Sequence, residues 1–315
     1  MSVVAFFPGH SSQHVGMGVA LADAFSEARE VFQEVDDALS QKLSAMMRDG
    51  AESDLTLTEN AQPALFAVSM AVVRVLEKQS GKPMGDLFSA AAGHSLGEYS
   101  ALASMGALAI ADGAKLLRLR GQAMQQAVPA GEGAMAAILG PELDAVRGYA
   151  AAGAAEAGGV CDVANDNAPG QVVVSGAVAA VDAAIAAATA DGVKRCMKLP
   201  VSAPFHCALM KPAADQMADA LAEAAIATPA RHILCNVSAE PIRIPGDIRA
   251  RLVEQVCGTV RWRESVLRLR ADGAERAFEL GAGKVLTGLA KRIDRDLTCA
   301  PVGAPEDIET ALGAL

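Results

Sequence analysis

Short apolar runs alternate with amphipathic segments along most of the chain. Residues 3–7 form a continuous apolar run that stops at Pro8, which is typical of a buried parallel strand. A second short apolar segment covers residues 89–92. Helical periodicity is found at residues 19–35, 62–77, 98–105 and 111–127. Pro63 suits the first turn of the second helix. This alternation predicts an α/β fold with a mostly parallel sheet.

The middle of the chain has a different pattern, rich in Ala and Gly. Strand-like segments lie at residues 134–139, 159–164, 171–175 and 193–199, with helical segments at 142–157 and 178–191. The order βαββαβ predicts a ferredoxin-like (α+β) arrangement. Strand and helix patterns resume at residues 233–237 and 248–255. We therefore predict an α/β-hydrolase-like large subdomain, residues 1–128 and 200–315, with an inserted ferredoxin-like small subdomain, residues 129–199.

Composition excludes several function classes. The 315 residues carry 27 Lys and Arg against 37 Asp and Glu, and the net charge of −10 argues against a nucleic-acid partner. The 52% of hydrophobic residues can form a large core. The longest central apolar stretch, residues 99–111, is too short to cross a bilayer as a helix. Because the N-terminus also shows no signal-peptide pattern, we expect a soluble, cytoplasmic protein without a membrane partner.

Cysteine and histidine spacing gives no indication of a metal site or a cofactor. The six Cys residues are scattered, as small buried hydrophobes in a reducing compartment would be. His10 and His14 are four residues apart, but the intervening residues follow Pro8 and Gly9 and predict a loop. We expect neither a metal nor a cofactor.

The pentapeptide GHSLG at residues 93–97 matches the nucleophile-elbow pattern G-x-S-x-G. In such an elbow the strand turns so sharply into a helix that the central serine, here Ser95, projects from the end of the sheet. The N–H groups at the start of the helix then point at the same place. An ordinary tight turn with a capping serine is the alternative interpretation.

A serine nucleophile needs a base, and five histidines are available. On a sharp elbow the side chain of His94 would point away from Ser95. His206 lies in the proline-punctuated segment VSAPFH, residues 201–206, where the chain returns from the insertion. Loops of this kind often hold catalytic groups, although a structural histidine is also compatible with the pattern.

Several segments, in the same order along almost the whole chain, closely resemble the malonyl-CoA:acyl carrier protein transacylase family. The resemblance begins with FPG at residues 7–9 and its most specific part is GHSLGEYSAL at residues 93–102. The remaining matching segments are TENAQPAL at 58–65, RG at 120–121, QVVVSG at 171–176, VSAPFH at 201–206, NV at 236–237, LVEQ at 252–255, VRW at 260–262 and GKVLTGL at 283–289.

The resemblance implies a Ser–His dyad. Ser95 would be the acyl-accepting nucleophile and His206 its base, with a backbone carbonyl at Gln255 orienting the imidazole. Arg120 would bind the substrate carboxylate, since a guanidinium can hold a carboxylate through two parallel hydrogen bonds. Without the resemblance, Arg120 would be interpreted as a solvated charge on a helix.

The resemblance also implies how the acyl group is selected and how the oxyanion is stabilised. Phe205 resembles the bulky residue that fills the space an α-methyl group would need, which gives a preference of only ~1–3 kcal/mol. Backbone N–H groups of Leu96 and His10 would form the oxyanion hole. The family usually has Gly-Gln-Gly-Ser-Gln where this chain has GHSSQ at residues 9–13. Ser11 would cost ~1–2 kcal/mol if its φ is positive.

The expected function is transfer of a malonyl group from malonyl-CoA to the phosphopantetheine thiol of an acyl carrier protein in fatty-acid biosynthesis, through a malonyl-serine intermediate. The alternatives are a transferase of polyketide synthesis or malonate decarboxylation, a serine esterase, and an inactive carrier-binding protein. Since carrier proteins of this family are acidic, docking requires a local basic patch. Candidates, which are otherwise scattered solvated charges, are Lys194, Arg195, Lys198, Lys284, Lys291 and Arg292.

Overall fold

Two separate sheets organise the chain in the computed structural model, which describes residues 2–315. The strands are β1 (Ser2–Phe7), β2 (Ala90–Gly93), β3 (Gly133–Leu139), β4 (Cys161–Ala168), β5 (Gln171–Ala177), β6 (Arg195–Lys198), β7 (Ile233–Leu234), β8 (Pro241–Ile242), β9 (Ala274–Leu280) and β10 (Thr298–Val302). The larger sheet has the order β10-β9-β1-β2-β7-β8, and every pairing in it is parallel except β7 with β8.

Helices follow most strands. They are α1 (Val19–Ala24), α2 (Ser26–Leu39), α3 (Leu43–Asp49), α4 (Glu52–Thr56), α5 (Thr58–Ser80), α6 (Met84–Leu87), α7 (Gly97–Ser104), α8 (Ile110–Gln126), α9 (Leu143–Ala157), α10 (Val178–Ala190), α11 (Lys211–Glu223), α12 (Pro245–Cys257), α13 (Trp262–Ala271), α14 (Val285–Ile293) and α15 (Pro305–Leu312). The mixed α/β prediction is confirmed. No helix in residues 2–315 combines the length and apolar character that crossing a membrane requires.

Strand β1 explains why its sequence is continuously apolar. Val4 and Phe6 belong to a core that includes Trp262, whereas Ala5 and Phe7 belong to the main core on the other face of the sheet. Successive side chains of a strand point to opposite faces, so a strand covered on both sides has no position for a polar residue. The helices α2, α5 and α8 pack together over the main core.

The smaller, antiparallel sheet has the order β4-β5-β3-β6, with α9 and α10 packed together beside it. Its elements follow one another as β3-α9-β4-β5-α10-β6, the βαββαβ order. All of them lie within residues 133–198. The boundaries of the insertion, at residues 129 and 199, and the hydrolase-like description of the remainder stay predictions.

Three sequence-based elements differ from the structure. The helix expected at residues 19–35 is divided at Phe25, which is extended (φ −125°, ψ 129°) and packs against the main core. The second helix begins at Thr58, so Pro63 is its sixth residue and not in its first turn. The early start is stabilised by local side-chain hydrogen bonds, because Gln62 Nε2 donates to Thr58 Oγ1 (2.9 Å) and Asn60 Nδ2 donates to the Asp54 carbonyl (2.8 Å).

The strand expected at residues 233–237 ends after Leu234, and the following residues turn back towards β8. This early end frees Asn236 for the contacts described below. Strands β9 and β10 were not predicted, although β9 lies beside β1 in the larger sheet.

Candidate active site

Residues 93–97 form a sharp turn between β2 and α7. The two glycines are required by close approach and not by a positive φ. A Cβ on Gly93 would lie 1.9 Å from the carbonyl carbon of Gly97, and a Cβ on Gly97 would lie 2.3 Å from the carbonyl oxygen of Phe7. Between them, Ser95 has φ 53°, a left-handed conformation that costs a non-glycine residue ~1–2 kcal/mol.

Asn236, just after β7, holds the strained elbow from the neighbouring strand. Its Oδ1 accepts a hydrogen bond from the Ser95 N–H (2.7 Å), and its Nδ2 donates to the Gly93 carbonyl (2.7 Å). Both contacts are buried. The amide thus bridges the two sides of the turn and fixes the serine backbone, a role that the sequence did not reveal.

The Ser95 and His206 side chains meet in the structure. Ser95 Oγ lies 2.8 Å from His206 Nε2, and His206 Nδ1 lies 2.8 Å from the backbone carbonyl of Gln255. A carbonyl can only accept, so Nδ1 carries the proton, and Nε2 of the neutral ring accepts from the serine hydroxyl. The expected position of the Gln255 carbonyl, beside the imidazole, agrees with this arrangement.

The buried imidazole of His206 is a neutral base at physiological pH. Burial, followed by the positive charge of Arg120, lowers its pKa from 6.5 to about 3. The residue also has φ 58°, so both members of the pair lie in strained backbone. Strain at two contacting residues is typical of a functional site, because ordinary packing does not require it.

Arg120, on α8, is almost completely buried, with 1% of its surface exposed. The interpretation as a solvated surface charge is therefore wrong. Its Nη1 donates to Gln62 Oε1 (2.7 Å), and its Nη2 donates to Ser95 Oγ (3.1 Å) and Gln255 Oε1 (2.9 Å). Within residues 2–315 no carboxylate forms an ion pair with Arg120, and its Nε has no hydrogen-bond partner. A buried charge satisfied only by neutral oxygens favours binding of an anion.

The Gln255 side chain joins the arginine to the elbow. Besides accepting from Arg120, its amide donates through Nε2 to the Ser95 carbonyl (2.9 Å) and to Glu98 Oε2 (2.7 Å). Burial raises the pKa of Glu98 to about 8. One residue of α12 therefore orients the imidazole through its backbone and the guanidinium through its side chain. Only the backbone contact was expected.

The N–H groups of Leu96 and His10 are free for an oxyanion. Neither donates to another residue in the part of the chain that the structure describes. Ser11 has φ 74°, so the positive φ considered for this position is present. The imidazole of His10 packs inside the protein: its Nε2 lies 2.9 Å from Thr58 Oγ1, and its ring stacks on Phe205 at 5.2 Å between centroids.

A cavity of about 210 Å³ is lined by five of the residues described above, namely His10, Ser95, Arg120, Phe205 and His206. Its walls include Met135, Asn165 and Val173 from strands β3, β4 and β5 of the antiparallel sheet. His94 also lines the cavity, but its Nε2 lies 2.8 Å from Asn167 Oδ1 and it makes no hydrogen bond to Ser95. The cavity therefore brings together a nucleophile, a neutral base and a buried cation, with the free N–H of His10 in its wall and that of Leu96 directly after Ser95 in the chain.

Comparisons with known proteins point in the same direction. A family model described as "Acyl transferase domain" matches residues 4–292. The chain is 43% identical to the malonyl CoA-acyl carrier protein transacylase of Bacillus subtilis, covering 100% of this chain and 98% of the relative. It is 44% identical to the protein of the same name from Escherichia coli K12, with 99% of each covered.

Solved structures are similar over the same length. The acyl-carrier-protein-S-malonyltransferase of Bartonella henselae has a TM-score of 0.97 at 49% identity, covering 100% of this chain and 99% of the other. A malonyl-transacylase solved in complex with its type II PKS acyl-carrier protein has a TM-score of 0.96 at 40% identity, with 100% of both chains covered. Sequence and structural similarity therefore both extend over the whole chain.

Proposed function

This chain belongs to the malonyl CoA-acyl carrier protein transacylase family of acyl transferases, and we propose that it transfers a malonyl group from malonyl-CoA to the phosphopantetheine thiol of an acyl carrier protein. The observation that carries the proposal is the convergence of the Ser95–His206 pair with the buried guanidinium of Arg120. An acyl group that ends in a carboxylate would place its thioester at the serine and its charge at the arginine. An acetyl group would leave that charge without a partner.

The first half-reaction forms the malonyl-serine. Ser95 Oγ attacks the thioester carbon while its proton moves to His206 Nε2. The carbonyl oxygen becomes an oxyanion held by the N–H groups of Leu96 and His10, each worth roughly 10²–10³ in rate. Collapse of the tetrahedral intermediate breaks the C–S bond, and the imidazolium returns its proton to the departing coenzyme A sulfur.

The second half-reaction reverses these steps with a different thiol. The phosphopantetheine thiol of the carrier protein gives its proton to His206 Nε2 as its sulfur attacks the ester carbon. When the C–O bond breaks, the proton passes from the imidazolium to Ser95 Oγ. The enzyme returns to its starting state after one malonyl transfer, which is a ping-pong scheme. The Gln255 carbonyl stabilises the imidazolium in both halves because it accepts from Nδ1.

Carrier-protein docking is proposed at the cavity mouth. Val285, Leu286 and Leu289 of α14 line the cavity, and Lys284, Lys291 and Arg292 lie on or beside the same helix. Leu199 and Val201 also line the cavity, and they lie just after β6, which contains Arg195 and Lys198 and follows Lys194. Lys198 forms an ion pair with Asp182 (2.6 Å), which partly neutralises its charge. The basic residues on or beside α14 are therefore the stronger candidates for docking.

We propose fatty-acid biosynthesis as the pathway and the cytoplasm as the location, the latter supported by six free, scattered thiols. Polyketide synthesis is the second candidate, because a structure 40% identical to this chain is a malonyl-transacylase in complex with a type II PKS acyl-carrier protein. A panel of holo-carrier proteins of both kinds distinguishes the pathways by the ratio of kcat/KM values.

A mass spectrum of the intact protein after incubation with malonyl-CoA tests the chemistry. The protein should gain one malonyl group, and Ser95→Ala should gain none. Addition of holo-carrier protein should remove the adduct from the wild type and place it on the carrier. Ser104→Ala, a buried serine of α7 outside the cavity, is the matched control and should be acylated like the wild type. A malonyl adduct on Ser95→Ala, or discharge only to water, would refute the proposal.

A further inference from the structure

A chain of hydrogen bonds leads from Arg120 to the loop after β1. Arg120 Nη1 donates to Gln62 Oε1 (2.7 Å), Gln62 Nε2 donates to Thr58 Oγ1 (2.9 Å), and Thr58 Oγ1 lies 2.9 Å from His10 Nε2. A guanidinium has only donors, so the directions of the first two bonds are fixed. The Gln62 amide must turn its oxygen to the arginine and its nitrogen to the threonine.

The direction of the last bond follows from the partners of Thr58 Oγ1, which are Gln62 Nε2 and His10 Nε2 in the described part of the chain. Since Thr58 Oγ1 already accepts from Gln62, its own hydroxyl proton is available to donate to His10 Nε2. His10 Nε2 then accepts, and the neutral ring carries its proton on Nδ1. Burial and the charge of Arg120 both favour this neutral form, lowering the pKa of His10 to about 3.

The imidazole held in this way lies against Phe205. The two rings are 5.2 Å apart between centroids with an interplanar angle of 25°, and both line the cavity that contains Ser95. Phe205 is 6% exposed and immediately precedes His206 in the chain. The ring of Phe205 thus has the imidazole on one side and the acyl space beside it, so its freedom to move away from that space depends on His10.

We propose that His10 is a specificity-determining residue, whose imidazole, oriented from Arg120 through Gln62 and Thr58, holds Phe205 in place and so excludes malonyl groups that carry an alkyl substituent on the central carbon. The inference rests on the proposed malonyl transfer and adds to it a second selection. Arg120 selects for the carboxylate, and the His10–Phe205 stack selects against the substituent. The same hydrogen-bond chain connects the two selections.

The side chain of His10 can be tested separately from its backbone. The proposed oxyanion donor at this position is the main-chain N–H, which every substitution except proline retains. We compare kcat/KM for malonyl-CoA and methylmalonyl-CoA, with one carrier protein, in five proteins. They are the wild type, His10→Ala, His10→Phe, Thr58→Val and His14→Ala. His14 is the matched control, an exposed histidine of the same loop that does not line the cavity.

The ratio of methylmalonyl to malonyl kcat/KM is the quantity that decides. His10→Ala should raise it roughly 5–10-fold, because the aromatic stack is lost and Phe205 can retreat. His10→Phe keeps a flat ring and should stay within about twofold of the wild type. Thr58→Val keeps the shape of the side chain but frees the imidazole, and should raise the ratio roughly 2–3-fold. His14→Ala should leave it unchanged.

Two results would overturn the inference. One is a folded His10→Ala variant whose ratio of methylmalonyl to malonyl kcat/KM equals that of the wild type. If His10→Ala does not fold, the same result for a folded Thr58→Val variant has the same consequence. The other is a ¹⁵N imidazole spectrum of the wild type in which His10 Nε2, and not Nδ1, carries the proton. Absence of malonyl transfer by the wild type would instead refute the proposed function. The tautomer measurement would still test the hydrogen-bond chain from Arg120 to His10.

Discussion

Replacement of Arg120 by Met should convert a malonyl-selective site into one that no longer distinguishes malonyl from acetyl. Methionine approximates the length of the arginine stem and removes the charge and every donor. A malonyl carboxylate held by the guanidinium gains two charge-assisted hydrogen bonds, each worth ~1.5–3 kcal/mol. Their loss should lower kcat/KM for malonyl-CoA by about 3–6 kcal/mol, which is roughly 10²- to 10⁴-fold.

The same substitution also lowers the folding stability of the free protein, and this loss must be separated from the effect on substrate binding. Gln62 Oε1 and Gln255 Oε1 lose their donor, and each unsatisfied buried acceptor costs ~1–3 kcal/mol of folding free energy. Arg118→Met is the matched control. This arginine lies on the same helix and donates to Asn60 Oδ1 and Gln41 Oε1, but it does not line the cavity.

The assay measures the rate of acyl-serine formation with malonyl-CoA and with acetyl-CoA by mass spectrometry, alongside thermal melting. Arg118→Met should lose stability and keep the malonyl/acetyl ratio, whereas Arg120→Met should lose the ratio. Arg120→Lys should lie between the wild type and Arg120→Met, since a point charge without the planar fork makes fewer of the same bonds. A folded Arg120→Met protein that retains the wild-type ratio would remove Arg120 from substrate binding.

Five further outcomes are expected. Because the pKa of His206 is lowered to about 3, kcat/KM for malonyl-CoA should not fall near pH 6.5; an acid limb at that pH would contradict the depressed value. The unfolded chain binds protons between pH 6.5 and 3 that folded His206 does not, so stability should decrease as pH falls through this window, and less steeply in His206→Gln by thermal melting. Ser11→Gly should raise Tm by about 1–3 °C, since glycine adopts φ 74° without strain; a lower Tm would argue against it. Gly97→Ala should destabilise the fold by roughly 1–3 kcal/mol in urea titration and abolish acylation, because its Cβ would meet the Phe7 carbonyl. Lys291→Glu should lower kcat/KM for the carrier protein roughly 2–5-fold at low salt and leave the acylation rate with malonyl-CoA unchanged; equal effects on both would remove this residue from the docking surface.

Local patterns predicted much of the fold. The apolar run of β1 and the G-x-S-x-G turn are written in consecutive residues, so their physical cause is visible in the sequence. Strand β9 was not predicted, because its sequence is AERAFEL, with charged residues inside the strand. The carboxylate of Glu279 is completely buried there and accepts hydrogen bonds from the N–H groups of Leu286 and Thr287. Only the partner segment makes a charge acceptable at such a position.

In the site, too, local motifs were predicted from the sequence and long-range contacts were not. Ser95 was indicated by its motif, and His206, Arg120 and Gln255 were assigned through the family resemblance. The contacts that orient them were not predicted, because they join residues far apart in sequence. Asn236 is 141 positions from Ser95, and Gln255 is 135 positions from Arg120. No periodicity or spacing rule reaches over such separations, and only the assembled tertiary structure brings these side chains together.

The order of strands in the larger sheet has a consequence for synthesis on the ribosome. Strand β1 is made first, but it lies between β2 and β9, and β9 ends at residue 280. Until that segment emerges, the earliest part of the polypeptide has one edge of its central strand unpaired and its apolar side chains uncovered on that side. The elbow serine is synthesised long before the histidine and glutamine that activate it. A nascent chain should therefore remain inert towards coenzyme A thioesters until most of the polypeptide has been made.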